Sequence, residues 1–261
     1  MHLLLLLTSL GLLVAASDSS SQHKPFDCGT DTSHASDDYL KTVQALHDNK
    51  NSGSPAARAA IAARDQAAAS TGSISIDTVF HIVAKADSKS TVTNNMPSAQ
   101  LSALNTAYKP YNIHFNLING TYNTLNLYFQ TDLSGGVLGR CTLPSAIANG
   151  KSDPTIYAND GCNINANTMP SGALQGYNSG MTAVHETGHW LGLLHMFEGY
   201  SCDGPGDYID DTPAESTATD GCPGDPIHNY MDYSVDSCYQ GFTELQVARM
   251  RSMWGLYRDG N

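Results

Sequence analysis

The chain has 261 residues, 41% of them hydrophobic, enough for one catalytic-size domain and a short extra segment. Its net charge is -12, with only 13 lysines and arginines. A surface this acidic repels phosphate backbones, which excludes nucleic acid as a partner.

Leu3 to Leu7 and Leu10 to Val14 form a short apolar run that ends in Val14-Ala15-Ala16-Ser17. It is too short for a permanent membrane span and carries small residues where a signal peptidase reads. The expectation is a signal peptide over residues 1–16, export from the cell and no membrane anchor. Export permits disulfides among Cys28, Cys141, Cys162, Cys202, Cys222 and Cys238. Six cysteines allow about fifteen pairings, so the sequence leaves the connectivity open. Asn119-Gly120-Thr121 is an N-glycosylation acceptor triplet.

Residues 17–36 are rich in Ser, Asp, Thr and His and read as a solvated tail. Leu40, Val43 and Leu46 mark one face of a short helix over 37–48, and an Ala-rich stretch at 55–69 favours a second. Residues 17–72 are therefore expected to form a pro-segment or N-terminal extension separate from the main core. A domain over 73–261 follows. Ile74, Ile76, Thr78, Phe80 and Ile82 alternate as a strand. Leu101, Leu104 and Tyr108 place a helix over 97–108, with Ser98 a candidate N-cap. Strands are expected at 113–118, 125–130 and 137–143, loops at 144–178, and a closing helix at 243–257. The fold class is α+β.

The chemistry lies in His185-Glu186-Thr187-Gly188-His189-Trp190-Leu191-Gly192-Leu193-Leu194-His195. His185 and His189 stand four apart, one turn of helix on one face, so both imidazoles reach one ion. Gly192 offers the left-handed turn that ends the helix, and His195 then returns as a third ligand. Three protein ligands leave a fourth position for water, the pattern of catalytic zinc. Glu186 stands beside the first ligand, placed to act as general base in peptide hydrolysis. A scaffold that only held metal would have no use for it.

HExxHxxGxxH is the signature of the metzincin clan of zinc proteases. Within it the chain resembles the pappalysin family, in particular its secreted fungal extracellular metalloproteases. The carrying segments are 138–144, Gly176-Tyr177-Asn178, 185–195, 206–213, 221–223, 225–234, 236–238 and 242–250. The resemblance implies a mixed twisted sheet with an active-site helix, an irregular C-terminal half, and protein or peptide substrates; the chain is expected to be a monomer. It implies that Met231 forms the apolar floor beneath the zinc and that the Tyr233 hydroxyl stabilises an oxyanion. The block around Gly206 to Pro213 resembles a calcium loop, and Asp207, Asp210, Asp211 and Thr212 are the hard oxygen donors that Ca2+ prefers. Residues 137–143 resemble the edge strand that pairs with extended substrate. Phe26-Asp27-Cys28-Gly29 resembles the latency segment, in which a cysteine blocks the open zinc position; a disulfide for Cys28 stays open as the other reading. Cys222–Cys238 resembles the family disulfide, and Cys141–Cys162 is a second candidate pair. Cys202 is either free or joined to Cys28.

Overall fold

The computed structural model describes residues 27–48, 72–118, 124–145, 159–218 and 228–259. The apolar run of residues 1–16, the Ala-rich stretch, Asn119 and Cys222 lie outside them.

Helix α1 spans Asp37–His47, strand β1 Ile74–Val83, helix α2 Met96–Tyr108, strand β2 Ile113–Leu117 and strand β3 Leu125–Gln130. Strands β4 (Gly139–Cys141) and β5 (Cys162–Asn165), helix α3 (Met181–Trp190) and helix α4 (Glu244–Tyr257) follow. The strands form one sheet in the order β2-β1-β3-β5-β4. The first four are mutually parallel, and β4 runs antiparallel to β5 at the edge.

Alternation along the strands decides which face is covered. Ile74 and Ile76, Ile113 and Phe115, Leu125, Leu127 and Phe129, and Cys162 and Ile164 are buried. They form one core with α2 and α3. Ser75 and Asp77, His114 and Asn116, and Tyr128 and Gln130 alternate with them on the other face. There His81 stacks on Tyr128 with ring centroids 4.2 Å apart.

Three expectations need correction. Residues 144–178 were expected to be loops throughout, yet they contain β5. Its sequence, Cys-Asn-Ile-Asn, alternates buried with half-buried positions, but two asparagines in four residues depress strand propensity. The edge strand is shorter than 137–143. Ser98 does not cap α2; the helix starts at Met96 after Asn95, with Pro97 in its first turn, and Ser98 Oγ donates to the Asn95 carbonyl over 2.8 Å.

The larger correction concerns residues 27–48, which are part of the packed molecule. Ser36 caps α1 by accepting from Tyr39 N. Tyr39, Val43 and Leu46 are buried and pack against Leu194, Met253 and Tyr257. Each such side chain contributes about 2 kcal/mol on burial, so the apolar face of the helix expected over 37–48 joins the segment to the rest of the molecule. The Tyr39 hydroxyl also donates to the Gly192 carbonyl over 3.2 Å. The N-terminal segment is thus bolted to the turn that ends the histidine helix.

The C-terminal helix follows its expected span. Thr243 and Gln246 form a reciprocal capping box at its start. Gln246 also exchanges two amide hydrogen bonds with Asn229, and Asn229 Oδ1 accepts from Met231 N over 2.9 Å. This helix therefore anchors the turn that carries Met231.

Among the described residues, Cys141 and Cys162 form a disulfide across the β4–β5 ladder, as the second candidate pairing expected. Cys28 and Cys202 are free. Cys238 is disulfide-bonded, and its expected partner Cys222 lies outside the described residues. No helix among them is long and apolar enough to cross a membrane.

Candidate functional site

Helix α3 is buried from Thr182 to Trp190 and is held from two sides. At its start Gly180 adopts φ 90°, and the Gly180 carbonyl accepts from Gln100 Nε2 of α2 over 3.0 Å. Further along, the Tyr108 hydroxyl donates to the Val184 carbonyl over 2.9 Å. Its other end stops where the sequence places the break. Gly192 has φ 90°, and a Cβ there would lie 2.4 Å from Met253 Cγ, so neither the backbone nor the space admits a side chain. The chain reverses and brings His195 back to the helix.

The three imidazoles meet. The Nε2 atoms of His185 and His189 are 3.1 Å apart, and His195 Nε2 lies 3.2 Å from the first and 3.1 Å from the second. His185 Nδ1 is 2.7 Å from the Tyr230 carbonyl and His189 Nδ1 is 2.9 Å from the Leu193 carbonyl. A carbonyl can only accept, so both Nδ1 atoms carry the proton and both Nε2 atoms present lone pairs. Lone pairs this close repel unless a cation lies among them. Zinc bonded to nitrogen at about 2.0–2.1 Å in a tetrahedron sets the nitrogens about 3.3 Å apart, so the donor set fits that ion. Burial depresses the pKa of all three histidines, His189 to about 4, which keeps the imidazoles neutral at physiological pH.

Met231 is fully buried. A Cβ on Gly188 would lie 2.5 Å from the Met231 sulfur, so the turn touches the helix through the glycine inside the motif. Glu186 is buried as well, and burial pushes its carboxyl up to about 8. Its Oε1 would stand 2.3 Å from a Cβ on Gly139. The edge strand thus carries a glycine where the carboxylate needs room, a pairing that no local sequence signal announces. Tyr233 packs edge-on to His195 with centroids 5.2 Å apart. Burial, then the neighbouring Cys28, raises the pKa of its phenol, which stays a neutral donor.

The N-terminal segment lies across this centre. Cys28 Sγ is 3.5 Å from His189 Nε2, and the thiol and three imidazoles present ligand atoms all within 4.8 Å of one another. Cys28 was placed in the tail outside the core; it is instead buried at 8% exposure. Cys28 N donates to the Tyr233 hydroxyl and that hydroxyl donates to the Cys28 carbonyl, each over 3.1 Å. Thr30 Oγ1 lies 3.3 Å from Glu186 Oε2 and accepts from Cys141 N over 2.7 Å. Leu138 N donates to the Asp27 carbonyl and Gly29 N to the Gly139 carbonyl, so the segment runs parallel to β4. Sequence reasoning picked out Cys28 but not Thr30, whose role depends on contacts more than a hundred residues away.

The expected calcium donors separate. Asp207 Oδ1 accepts from Thr212 Oγ1 over 2.6 Å and from Ile209 N over 3.1 Å. Its Oδ2 is buried with no hydrogen-bond partner, as are both carboxylate oxygens of Glu215. Burial lifts Asp207 and Glu215 to about 7 each, and the charges of Asp232 and Asp207 add to the second. Asp210 and Asp211 stand elsewhere. Asp210 pairs with His47 at 3.4 Å, and Asp211 accepts from Thr243 Oγ1 and Leu245 N at the start of α4.

Comparison with known proteins agrees with this geometry. A family model described as pregnancy-associated plasma protein-A matches residues 116–254. An extracellular metalloprotease of Neurospora crassa is 40% identical over 272 aligned positions, covering 90% of each chain. One of Aspergillus oryzae is 41% identical, covering 72% of this chain and 78% of its own. Mature mirolysin of Tannerella forsythia, solved with a cleaved peptide, has a TM-score of 0.60 at 25% identity and covers 71% of this chain and 93% of its own. A promirolysin variant has a TM-score of 0.63 at 22% identity, a likeness of fold, and covers 87% of this chain and 93% of its own. With the motif, the histidine cluster and these relatives in agreement, the chain belongs to the pappalysin family of zinc metalloproteases.

Proposed function

We propose that this chain is a secreted endopeptidase made as a latent zymogen, with His185, His189 and His195 holding one zinc ion and Glu186 as general base. The convergence of three Nε2 atoms at 3.1–3.2 Å carries the reading. When bound, zinc supplies Lewis-acid polarisation of the scissile carbonyl and lowers the pKa of a water to about 7. The chain's own residues do the rest. Glu186 takes the water's proton and passes it to the leaving amine. The neutral Tyr233 hydroxyl donates to the developing oxyanion. Edge strand β4 offers backbone groups to an extended peptide, so recognition accepts many sequences. No second chain is needed to complete this set, in keeping with a monomer acting on proteins or peptides.

Latency follows from the same contacts. Residues 27–30 engage the histidines, Tyr233, Glu186 and β4 together. They present a thiol to the cluster where a substrate would present a carbonyl. Burial and the Glu186 carboxylate hold the Cys28 thiol well above its usual value, and a divalent cation beside it reverses that preference toward thiolate. The likeness in fold to a pro-form supports this reading, with residues 17–72 removed on maturation. Secretion is supported by the N-terminal apolar run, the Cys141–Cys162 disulfide and relatives named extracellular.

The ligand assignment predicts that the purified full chain carries one zinc and that His195→Ala loses most of it. Metal analysis after dialysis reads this, and unchanged zinc would remove His195 from the ligand set. A calcium ion at Asp207 and Thr212 is the proposed answer to the unpartnered Asp207 Oδ2. Added calcium should then raise the thermal midpoint of the wild type and not of Asp207→Asn. Equal midpoints with and without calcium would rule the ion out.

A further inference from the structure

Glu198 lies three residues beyond His195, in a loop whose position the metal centre fixes. Phe197 stacks on His195 with centroids 4.7 Å apart and planes within 10°. Glu198 N donates to the His195 carbonyl over 3.0 Å, and Tyr200 N to the Phe197 carbonyl over 2.9 Å. The carboxylate of Glu198 therefore cannot drift far from the centre.

Its hydrogen-bond partner comes from the pro-segment. Thr32 Oγ1 donates to Glu198 Oε1 over 2.8 Å. No lysine, arginine or histidine among the described residues forms an ion pair with it. The pro-segment brings Asp31 close instead, and burial and then Asp31 raise the Glu198 pKa. Residues 27–30 already trace the groove, with Cys28 at the histidines, Thr30 at Glu186 and both along β4. Thr32 lies two residues further along the same chain. Removal of the segment takes the Thr32 hydroxyl and the Asp31 charge away from the Glu198 carboxylate together. Beside it, Tyr200 is 71% exposed and adopts φ 50°, an unusual conformation for a bulky residue. The Tyr200 ring lies 5.8 Å from that of Phe197, and an exposed aromatic ring two positions from a carboxylate is a setting that favours a cation.

We propose that Glu198 selects a lysine or arginine side chain of the protein substrate on the side of the cleft that Thr32 fills in the latent form. The proposal rests on the endopeptidase reading above. Four residues of extended chain from Cys28 to Thr32 span about 13 Å, which places the selected residue about two to four positions from the scissile bond. The pro-segment carries an acid and a hydroxyl at this place, so it fills the groove without the feature that Glu198 would reward.

The test uses full-length protein activated by limited proteolysis and a library of N-acetylated peptides, which removes free α-amines as a competing cation. Cleavage sites are read by mass spectrometry. Lysine and arginine should be enriched at one position two to four residues from the bond. Matched peptides with lysine or glutamate there should differ about tenfold in kcat/KM, as about 1.4 kcal/mol of discrimination gives. Glu198→Lys should invert that ratio, and Glu198→Gln, which preserves shape, should bring it toward one. A wild type that cleaves with no basic preference there, or a ratio unchanged in both variants, overturns the proposal and leaves the endopeptidase reading intact. Zinc-loaded, activated wild type that cuts no peptide overturns both.

Discussion

Glu186→Ala should keep its zinc and lose proteolysis, with kcat falling about a thousandfold, the usual scale for a missing general base. The substitution leaves His185, His189 and His195 untouched. The orientation of His185 and His189 comes from the Tyr230 and Leu193 carbonyls. Folding should survive as well. The carboxylate is fully buried, its Oε1 has no hydrogen-bond partner, and burial opposes its charge. Truncating such a group removes a desolvation penalty, and the side-chain contact it gives up, with Thr30, belongs to the segment that activation removes. Metal analysis and peptide hydrolysis on the same activated sample separate the two effects. Zinc retained with hydrolysis close to the wild-type rate would take Glu186 out of the chemistry.

Cys28→Ser should release part of the latency. In the uncut chain the thiol joins the three imidazoles, and a serine hydroxyl is a much poorer ligand for zinc than a thiolate. The rest of the segment stays in place. Thr30 still contacts Glu186 and Cys141, and Tyr39, Val43 and Leu46 still pack against Leu194, Met253 and Tyr257. Activation should therefore be partial. We expect the uncut variant to hydrolyse a short peptide about tenfold faster than the uncut wild type, a weakening of about 1.4 kcal/mol in the block. Initial rates on chains shown to be intact by gel would measure it. Equal silence in both would mean that the segment blocks by bulk alone and that the thiol is incidental.

The histidine cluster was legible because its determinants are local. His185, Glu186 and His189 share one helical turn, and Gly192 and His195 follow at fixed offsets through a left-handed turn that glycine alone makes cheaply. Met231 and Tyr233 became legible only through family resemblance; their burial and ring contacts depend on a turn tied to α4 by Asn229 and Gln246. The missed features are long-range. Gly139 clears space for Glu186 from a strand 47 positions earlier, a distance read from their numbers. Thr32 meets Glu198 across 166 positions. The segment around Cys28 looked like solvated tail because Ser, Thr and Asp dominate it. Those same side chains serve as caps and hydrogen-bond partners once packed, as Ser36, Asp31 and Thr30 show. Composition reports how much a segment can bury, and here three apolar residues of α1 were enough. Strand β5 was missed for a related reason. Its asparagines face the polar side of the sheet, where strand propensity counts for less than pairing with β3 and β4.

The most direct measurement is hydrolysis of casein by the activated protein with and without phenanthroline, followed by return of zinc. Chelation should abolish the activity and added zinc should restore it. Hydrolysis that persists after zinc is shown to be gone, or its absence from folded, zinc-loaded, pro-segment-free protein, would contradict the zinc-protease assignment.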